Sequence, residues 1–172
     1  CRKGSRCSGK LALAAILLGP VFSSMAFATC STAGSTVTCT GVPPQPLIPN
    51  DFASTDDNLT VNVNSGAQMD ATHGGHAIDL TGINITLNNF GIIDPAVLGP
   101  VAVLSGGAFI GTGATSTVNV LNQTGAIMRG TGMLLGLNLT SINGLAIGVN
   151  NAASGTTTIT NNGTITSTGL SM

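Results

Sequence analysis

Residues 59–69 read Leu-Thr-Val-Asn-Val-Asn-Ser-Gly-Ala-Gln-Met, and this stretch sets the pattern that decides the fold. Apolar residues alternate with polar ones, then an Asn and a Gly follow, and a further apolar residue comes after the Gly. Alternation at every second residue places the apolar side chains on one face of a β-strand. Because Asn and Gly tolerate left-handed backbone angles, they turn the chain before a second short strand.

Three later stretches, at residues 83–93, 118–128 and 157–166, repeat this pattern. The marker glycines of the four copies are Gly66, Gly91, Gly125 and Gly163. Successive gaps between them are 25, 34 and 38 residues. Short alternating segments such as 75–80 and 144–149 lie between the copies. A fixed short motif at a variable spacing predicts coils whose loops differ in length.

A single unit of this kind cannot bury its own apolar face, whereas stacked units can, since the inward side chains of each coil cover those of the next. We therefore predict an all-β fold, a partial right-handed parallel β-helix (a solenoid) over residues 51–172, with five or six coils. The backbone would pair between coils at about 4.8 Å per step. An antiparallel β-sandwich is the alternative. The recurrence of Asn-then-Gly in equivalent places, with few hairpin-type Asn-Gly turns, favours the solenoid.

Residues 1–28 have the three parts of a secretory signal peptide. The segment 2–10 is basic, the segment 11–18 is apolar, and a small-x-small cleavage site ends at Ala28. We predict a signal-peptide helix that is removed, so that the mature chain starts at Thr29. The apolar run is shorter than the roughly 20 residues that span a bilayer. A buried core helix or a membrane anchor is the alternative interpretation.

Two cysteines, Cys30 and Cys39, lie just after the predicted cleavage site. An exported protein meets an oxidising environment, so we predict that these two form a structural disulfide. Metal binding would need more ligands than two cysteines supply. A Pro-rich stretch at 43–49 follows. We divide the chain into a signal peptide at 1–28, a disulfide loop and Pro-rich connector at 29–50, and the partial β-helix at 51–172.

The charge of the predicted mature part argues against several classes of partner. Only 6% of the 172 residues are charged, against about 25% in an average soluble protein. After Ala28 there is one Arg and there are six Asp, which gives a net charge of −5. Nucleic-acid binding needs clustered Lys and Arg to neutralise phosphates. We therefore predict no nucleic-acid partner and no attraction to an anionic membrane surface.

The candidate catalytic residues are few. Asp56 and Asp57 are the only adjacent carboxylates, and they precede the first repeat strand, where a turn is expected. No Gly-x-Ser-x-Gly motif of a serine nucleophile occurs. We predict that this region is not an enzyme and holds no cofactor.

A metal site has one candidate. His73 and His76, flanked by Asp70 and Asp79, are the densest group of ligand-type residues. A polar turn between coils would carry the same residue types, and two His separated by two Gly fix no coordination geometry. We predict no metal site.

The segment 156–160, Thr-Thr-Thr-Ile-Thr, resembles the regular Thr arrays of ice-binding solenoids. One such array does not make a surface, so the sequence alone does not predict that function.

A family resemblance rests on three features. They are the signal at 1–28, the Cys30…Cys39-Thr-Gly start, and runs such as Thr-Ile-Thr-Asn-Asn-Gly-Thr-Ile-Thr-Ser-Thr-Gly at 158–169. In these the chain resembles the N-terminal part of an autotransporter passenger of Gram-negative bacteria. The resemblance implies export through the inner membrane and display at the outer membrane and cell surface, or secretion. It also implies a fused C-terminal β-barrel translocator, so we expect the chain to be a fragment.

The function that the resemblance implies is a structural stalk or adhesin, which could contact ligands on a host cell or another surface. One alternative is a β-helical spacer for a protease or esterase domain encoded downstream. Another is an exoprotein secreted through a separate partner barrel. Sequence beyond Met172 would discriminate among the three.

Overall fold

The computed structural model describes residues 29–42, 51–71, 75–95, 106–132 and 145–169, and every regular element in these ranges is a β-strand. The strands are β1 (Thr29–Ala33), β2 (Thr36–Thr40), β3 (Phe52–Ser54), β4 (Thr60–Val63), β5 (Gln68–Met69), β6 (His76–Leu80), β7 (Ile85–Asn89), β8 (Ile92–Ile93), β9 (Gly106–Gly111), β10 (Thr117–Asn122), β11 (Ile127–Gly132), β12 (Ile147–Asn150), β13 (Thr156–Asn161) and β14 (Thr164–Gly169). Their short length fits a chain rich in β-branched residues and turn formers.

The fold begins with an antiparallel hairpin. Strands β1 and β2 pair around a turn in which Gly34 has a φ of 62°. Cys30 and Cys39 stand directly opposite each other, with 4.0 Å between their Cα atoms, and they form a disulfide. The predicted disulfide is thus confirmed. A loop this short gains about 2–3 kcal/mol by constraining the unfolded chain.

After the hairpin the chain winds through three parallel sheets. Sheet A has the order β1-β2-β4-β7-β10-β13, sheet B the order β12-β9-β6-β3, and sheet C the order β14-β11-β8-β5. Apart from the hairpin, every pairing is parallel. Each turn of the solenoid therefore visits sheets B, A and C in that order. The predicted parallel β-solenoid is confirmed. Its right-handed winding stays a prediction, resting on the general right-handedness of parallel crossovers.

The described strands make four coils, fewer than the five or six expected. The coils are β3–β5, β6–β8, β9–β11 and β12–β14. The number of residues per coil varies: paired Asn residues of adjacent coils are 26 positions apart for Asn62 and Asn88, 33 for Asn89 and Asn122, and 39 for Asn122 and Asn161. The prediction was too high because each coil needs three strands and three turns.

Apolar side chains fill the interior in ranks that run from coil to coil. One rank on sheet A is Val37, Val61, Leu87, Val120 and Ile159. A rank on sheet C is Met69, Ile93, Met128 and Ile165. A rank on sheet B is Leu80, Ile110 and Val149. Members of these ranks in the inner coils are at most 2% exposed. Stacking thus buries the apolar face that a single unit would leave in water.

The marker glycines belong to two kinds of turn between sheets A and C. Gly66 and Gly125 have φ angles of 80° and 82°, the left-handed conformation that favours glycine. Each precedes an Ala whose backbone N–H closes the turn, Ala67 onto Asn64 O and Ala126 onto Gln123 O, both at 2.9 Å.

Gly91 and Gly163 lie in a shorter turn. Their N–H groups donate to the side-chain oxygens of Asn89 and Asn161, at 3.1 and 3.2 Å. A Cβ on Gly91 would come within 2.5 Å of the Ala67 carbonyl oxygen of the preceding coil. The sequence pattern treats the four glycines as equivalent, whereas two are required by backbone angle and two by close approach between coils.

The targeting segment at 1–28, with the predicted cleavage between Ala28 and Thr29, lies outside the described residues except for Thr29. So does the Pro-rich stretch at 43–49. Most of strand β9 is buried.

Candidate functional site

An asparagine ladder stabilises the corner between sheets A and C. Asn89 Nδ2 donates to Asn122 Oδ1 at 2.9 Å, and Asn122 Nδ2 donates to Asn161 Oδ1 at 2.8 Å. The same Nδ2 atoms also donate to backbone carbonyls of the next strand, those of Ile127 and Thr164. Asn89 and Asn122 are fully buried. A buried amide is tolerated because its polar atoms are hydrogen-bonded, so this ladder is structural.

The outward side chains of sheet A form two straight ranks, which we call the Thr/Asn face. The first rank is Thr36, Thr60, Thr86, Asn119 and Thr158. The second rank is Thr38, Asn62, Asn88, Leu121 and Thr160. All members are half-buried or exposed. This face is the longest regular surface in the described part of the chain.

An acidic corner closes the first coil between sheets C and B. Asp70 N–H donates to Asp51 Oδ2 at 3.1 Å, and Gln68 Nε2 donates to Asp70 Oδ1 at 2.9 Å. Burial raises the pKa of Asp51 to about 6, against a lowering by the Asp70 N–H and with a further raising by the Asp70 charge. Burial also raises the pKa of Asp70, where Gln68 acts in the opposite direction and Asp94 adds to the rise. The other oxygen of Asp70, Oδ2, is buried without a hydrogen bond.

The acidic residue that follows β8 in the second coil, Asp94, is ion-paired. Asp94 Oδ2 accepts from Arg129 Nη1 at 2.7 Å. Since both side chains are partly exposed, water screens this pair and its contribution to stability is small.

A mixed cluster lies on the outer face of sheet B. The rings of His76 and Phe109 stack with 5.0 Å between their centroids, and His76 Nδ1 lies 4.0 Å from Asp79 Oδ2. Burial lowers the pKa of His76, while the Asp79 charge opposes this change. Phe109 lies against Gly111 and Gly148, where an added Cβ would meet its ring. The glycines therefore make room for an aromatic ring on the sheet surface.

A shallow recess of about 460 Å³ adjoins this cluster and is lined by Ala53, Ser54, Thr55, Asp56, Asp79 and Thr81. Asp56 and Asp57, in the turn at its edge, are hydrogen-bonded to nearby groups. Asp56 is hydrogen-bonded to Ser54, and Asp57 Oδ1 accepts from the Ile83 N–H at 2.9 Å. These are the contacts of turn residues, and Asp79 is the other carboxylate in the lining of the recess.

Of the four candidate metal ligands, the structure describes Asp70, His76 and Asp79. Asp70 belongs to the acidic corner, whereas His76 and Asp79 lie on sheet B, and His73 lies outside the described residues. Within the described ranges, no group of three or more His, Cys, Asp or Glu residues has a geometry that could hold a metal ion. Nor does a helix in those ranges have the length and apolarity to cross a bilayer.

Sequence reasoning missed both the Asp51–Asp70 contact and the extent of the Thr/Asn face. The first joins residues 19 positions apart, and no local motif marks it. The second has a sequence signal, the Thr-x-Thr or Thr-x-Asn spacing in β2, β4, β7 and β13. That spacing predicts shared outward positions only once the coils are known to stack in register.

Comparison with known proteins gives no match: no family model, curated protein or solved structure is significantly similar to this chain.

Proposed function

We propose that this chain is part of an exported passenger that is displayed at a bacterial surface, where it serves as a stalk or adhesin. The observation that carries the proposal is the in-register stacking of four parallel coils on a hairpin. Each added coil lengthens the solenoid by about 4.8 Å and repeats the same outer faces. Such an architecture provides reach and many equivalent contact points from a simple repeat.

Two further features support export. The disulfide between Cys30 and Cys39 fits an oxidising compartment. The segment at 1–28 has the order of parts of a secretory signal. The proposed partner is an outer-membrane β-barrel translocator fused downstream, and the proposed ligands are exposed groups on a host cell or another surface. The proposal assigns no catalytic chemistry to the described coils.

The first experiment is to sequence the gene past the codon for Met172 to its stop codon. We expect a long solenoid and then alternating segments of about 10 residues with aromatic girdles, the pattern of a membrane barrel. A reading frame that stops without such segments would contradict a fused translocator. A protease or esterase motif between solenoid and barrel would favour the spacer function over the adhesin.

Protease treatment of intact cells that express the whole gene tests display independently. We expect the solenoid to become cleavable from outside while a periplasmic marker stays intact. Protection of both would show that the passenger is not displayed.

A further inference from the structure

The Thr/Asn face has a regular two-dimensional spacing. Its two ranks cross five parallel strands, from β2 to β13, without a shift in register. Neighbouring strands are about 4.8 Å apart, and alternate residues along a strand are about 6.7 Å apart. The face is therefore a lattice of side chains, five strands long and two side chains wide. The sequence by comparison shows only one row of this kind, at residues 156–160.

The face is neutral and consists of Thr and Asn side chains, apart from Leu121 in the second rank. The strands of sheet A contain no charged and no aromatic residue. The seven charged residues of the described ranges lie on sheets B and C or at the corners between sheets. Asn88 Nδ2 donates to Asn62 Oδ1 at 2.9 Å, which fixes these two amides relative to each other. The hydroxyls of Thr36, Thr60 and Thr86 make no side-chain hydrogen bond within the described part of the chain, so they can bind groups outside the protein.

These properties exclude most ligand classes. A neutral face does not attract a charged polymer. Sheet A has no aromatic side chain on which a sugar ring could stack. A peptide strand adds to a sheet edge, whereas this surface is the sheet's face. The regular spacing fits a partner that is itself a neutral, periodic lattice of hydrogen-bonding atoms.

We propose that the Thr/Asn face binds ice. Water oxygens on the surfaces of an ice crystal repeat at distances similar to the two side-chain spacings of this face. Each Thr would offer a hydroxyl to hydrogen-bond a lattice water and a methyl group that orders the water around it. Because the hydroxyls on β2, β4 and β7 are held on strands fixed by two neighbours, little conformational entropy is lost on binding there. This inference does not rest on the export route or on a fused barrel.

The test uses the purified protein with its disulfide intact and measures thermal hysteresis and incorporation into a growing ice hemisphere. We expect the wild-type protein to lower the freezing point below the melting point and to enter the ice. In Thr86→Lys, a charged side chain at the centre of the first rank would hold the face away from the crystal. We expect both signals to fall to the level of buffer.

Thr158→Lys and Thr164→Lys form a matched pair, because both Thr residues are exposed in the last coil but lie on sheets A and C. We expect Thr158→Lys to weaken hysteresis and Thr164→Lys to leave it unchanged. Far-UV circular dichroism checks that each variant is folded. Absence of hysteresis and of ice incorporation in the wild-type protein would overturn the proposal. Equal losses in Thr158→Lys and Thr164→Lys would do so as well.

Discussion

At the scale of single residues, the direction in which a side chain points decides its energetic role. Asn88 and Asn89 are neighbours in β7, yet Asn88 points outward and Asn89 is fully buried. Asn89 makes three hydrogen bonds, to Asn122, to the Ile127 carbonyl and from the Gly91 N–H. Removing a buried partner leaves the others unsatisfied, which costs more than the bond itself contributes.

We predict that Asn89→Ala lowers the free energy of unfolding by about 1–3 kcal/mol, since buried backbone groups lose their partner. Asn88→Ala, the matched control in the same strand, should change it by no more than about 0.5 kcal/mol, as for most surface substitutions. Urea denaturation followed by circular dichroism measures both. Equal losses of unfolding free energy in the two variants would mean that the buried Asn89 side chain adds no more to stability than the outward-facing Asn88 side chain.

The two kinds of glycine turn should respond differently to substitution. Gly66 has a φ of 80° with no atom within 4 Å of an added Cβ, and Asn58 and Asn84 already adopt a φ of 57° in this chain. Gly66→Asn should therefore cost less than about 1 kcal/mol, because Asn visits left-handed angles. Gly91→Ala would force apart two coils and should cost about 1–3 kcal/mol or more. The midpoints of urea denaturation measure both stabilities. If Gly91→Ala were as stable as Gly66→Asn, the two coils would be able to move apart at Gly91 at little cost in free energy.

At the scale of elements, the start and the end of the first coil are joined by a hydrogen bond from the backbone N–H of Asp70 to the carboxylate of Asp51. Asp51 immediately precedes β3 and Asp70 immediately follows β5, so their contact ties the start of the coil to its end. Both pKa values are raised, mainly by burial. The groups that face this pair are Asp94, whose charge raises the Asp70 pKa, and Arg129, which is paired with Asp94.

A raised carboxyl pKa gives the opposite pH dependence from ordinary acid denaturation. With a pKa of about 6, Asp51 keeps its proton in the folded state up to that pH, whereas in the unfolded state it loses the proton near its ordinary pKa of 3.8. The contribution of Asp51 to stability is therefore fully present below 3.8 and is lost as the pH rises through about 6. We predict a higher urea midpoint at mildly acidic pH than at neutral pH.

Asp51→Asn is the control for this prediction, since an amide oxygen still accepts from Asp70 N–H but does not titrate. In this variant the pH dependence between 3.8 and 6 should be smaller. A wild-type protein whose stability rises steadily across that interval would contradict a raised pKa for Asp51.

At the scale of the whole molecule, the two ends of the described solenoid differ. The disulfide-linked hairpin covers sheet A at the first end. At the other end β12, β13 and β14 each pair with one neighbour within the described ranges, and the core-facing Ile159 is 47% exposed. An unpaired strand edge beside exposed apolar side chains is a template for association with another chain.

We predict that a polypeptide limited to residues 29–172 self-associates in a concentration-dependent manner through this end, and that Ile159→Lys reduces the association by placing a charge in the exposed rank. Sedimentation velocity over a range of concentrations measures it. Phe90→Lys removes a comparable exposed apolar side chain, 44% exposed, from a turn in an inner coil and should leave association unchanged. A wild-type protein that stays monomeric at high concentration would contradict the prediction.

The sequence by itself determined the local structure. Alternation in 59–69 and its repeats was sufficient for strands with one buried face, because the side-chain period of a strand is fixed by its backbone. Cys30 and Cys39 had a single pairing in the predicted mature chain, and it is the one observed. The stacking of coils also followed, since units with one apolar face need neighbours to cover it.

Only the tertiary structure decided which residues meet across coils. The number of coils, the two classes of glycine turn, the Asp51–Asp70 contact and the joining of Thr residues into ranks all depend on register. Register between coils is set by the lengths of loops that follow no fixed period, 26, 33 and 39 residues between equivalent Asn residues. Local periodicity determines the face of the strand on which a side chain lies. The packing of complete coils determines which side chain of the next coil lies beside it.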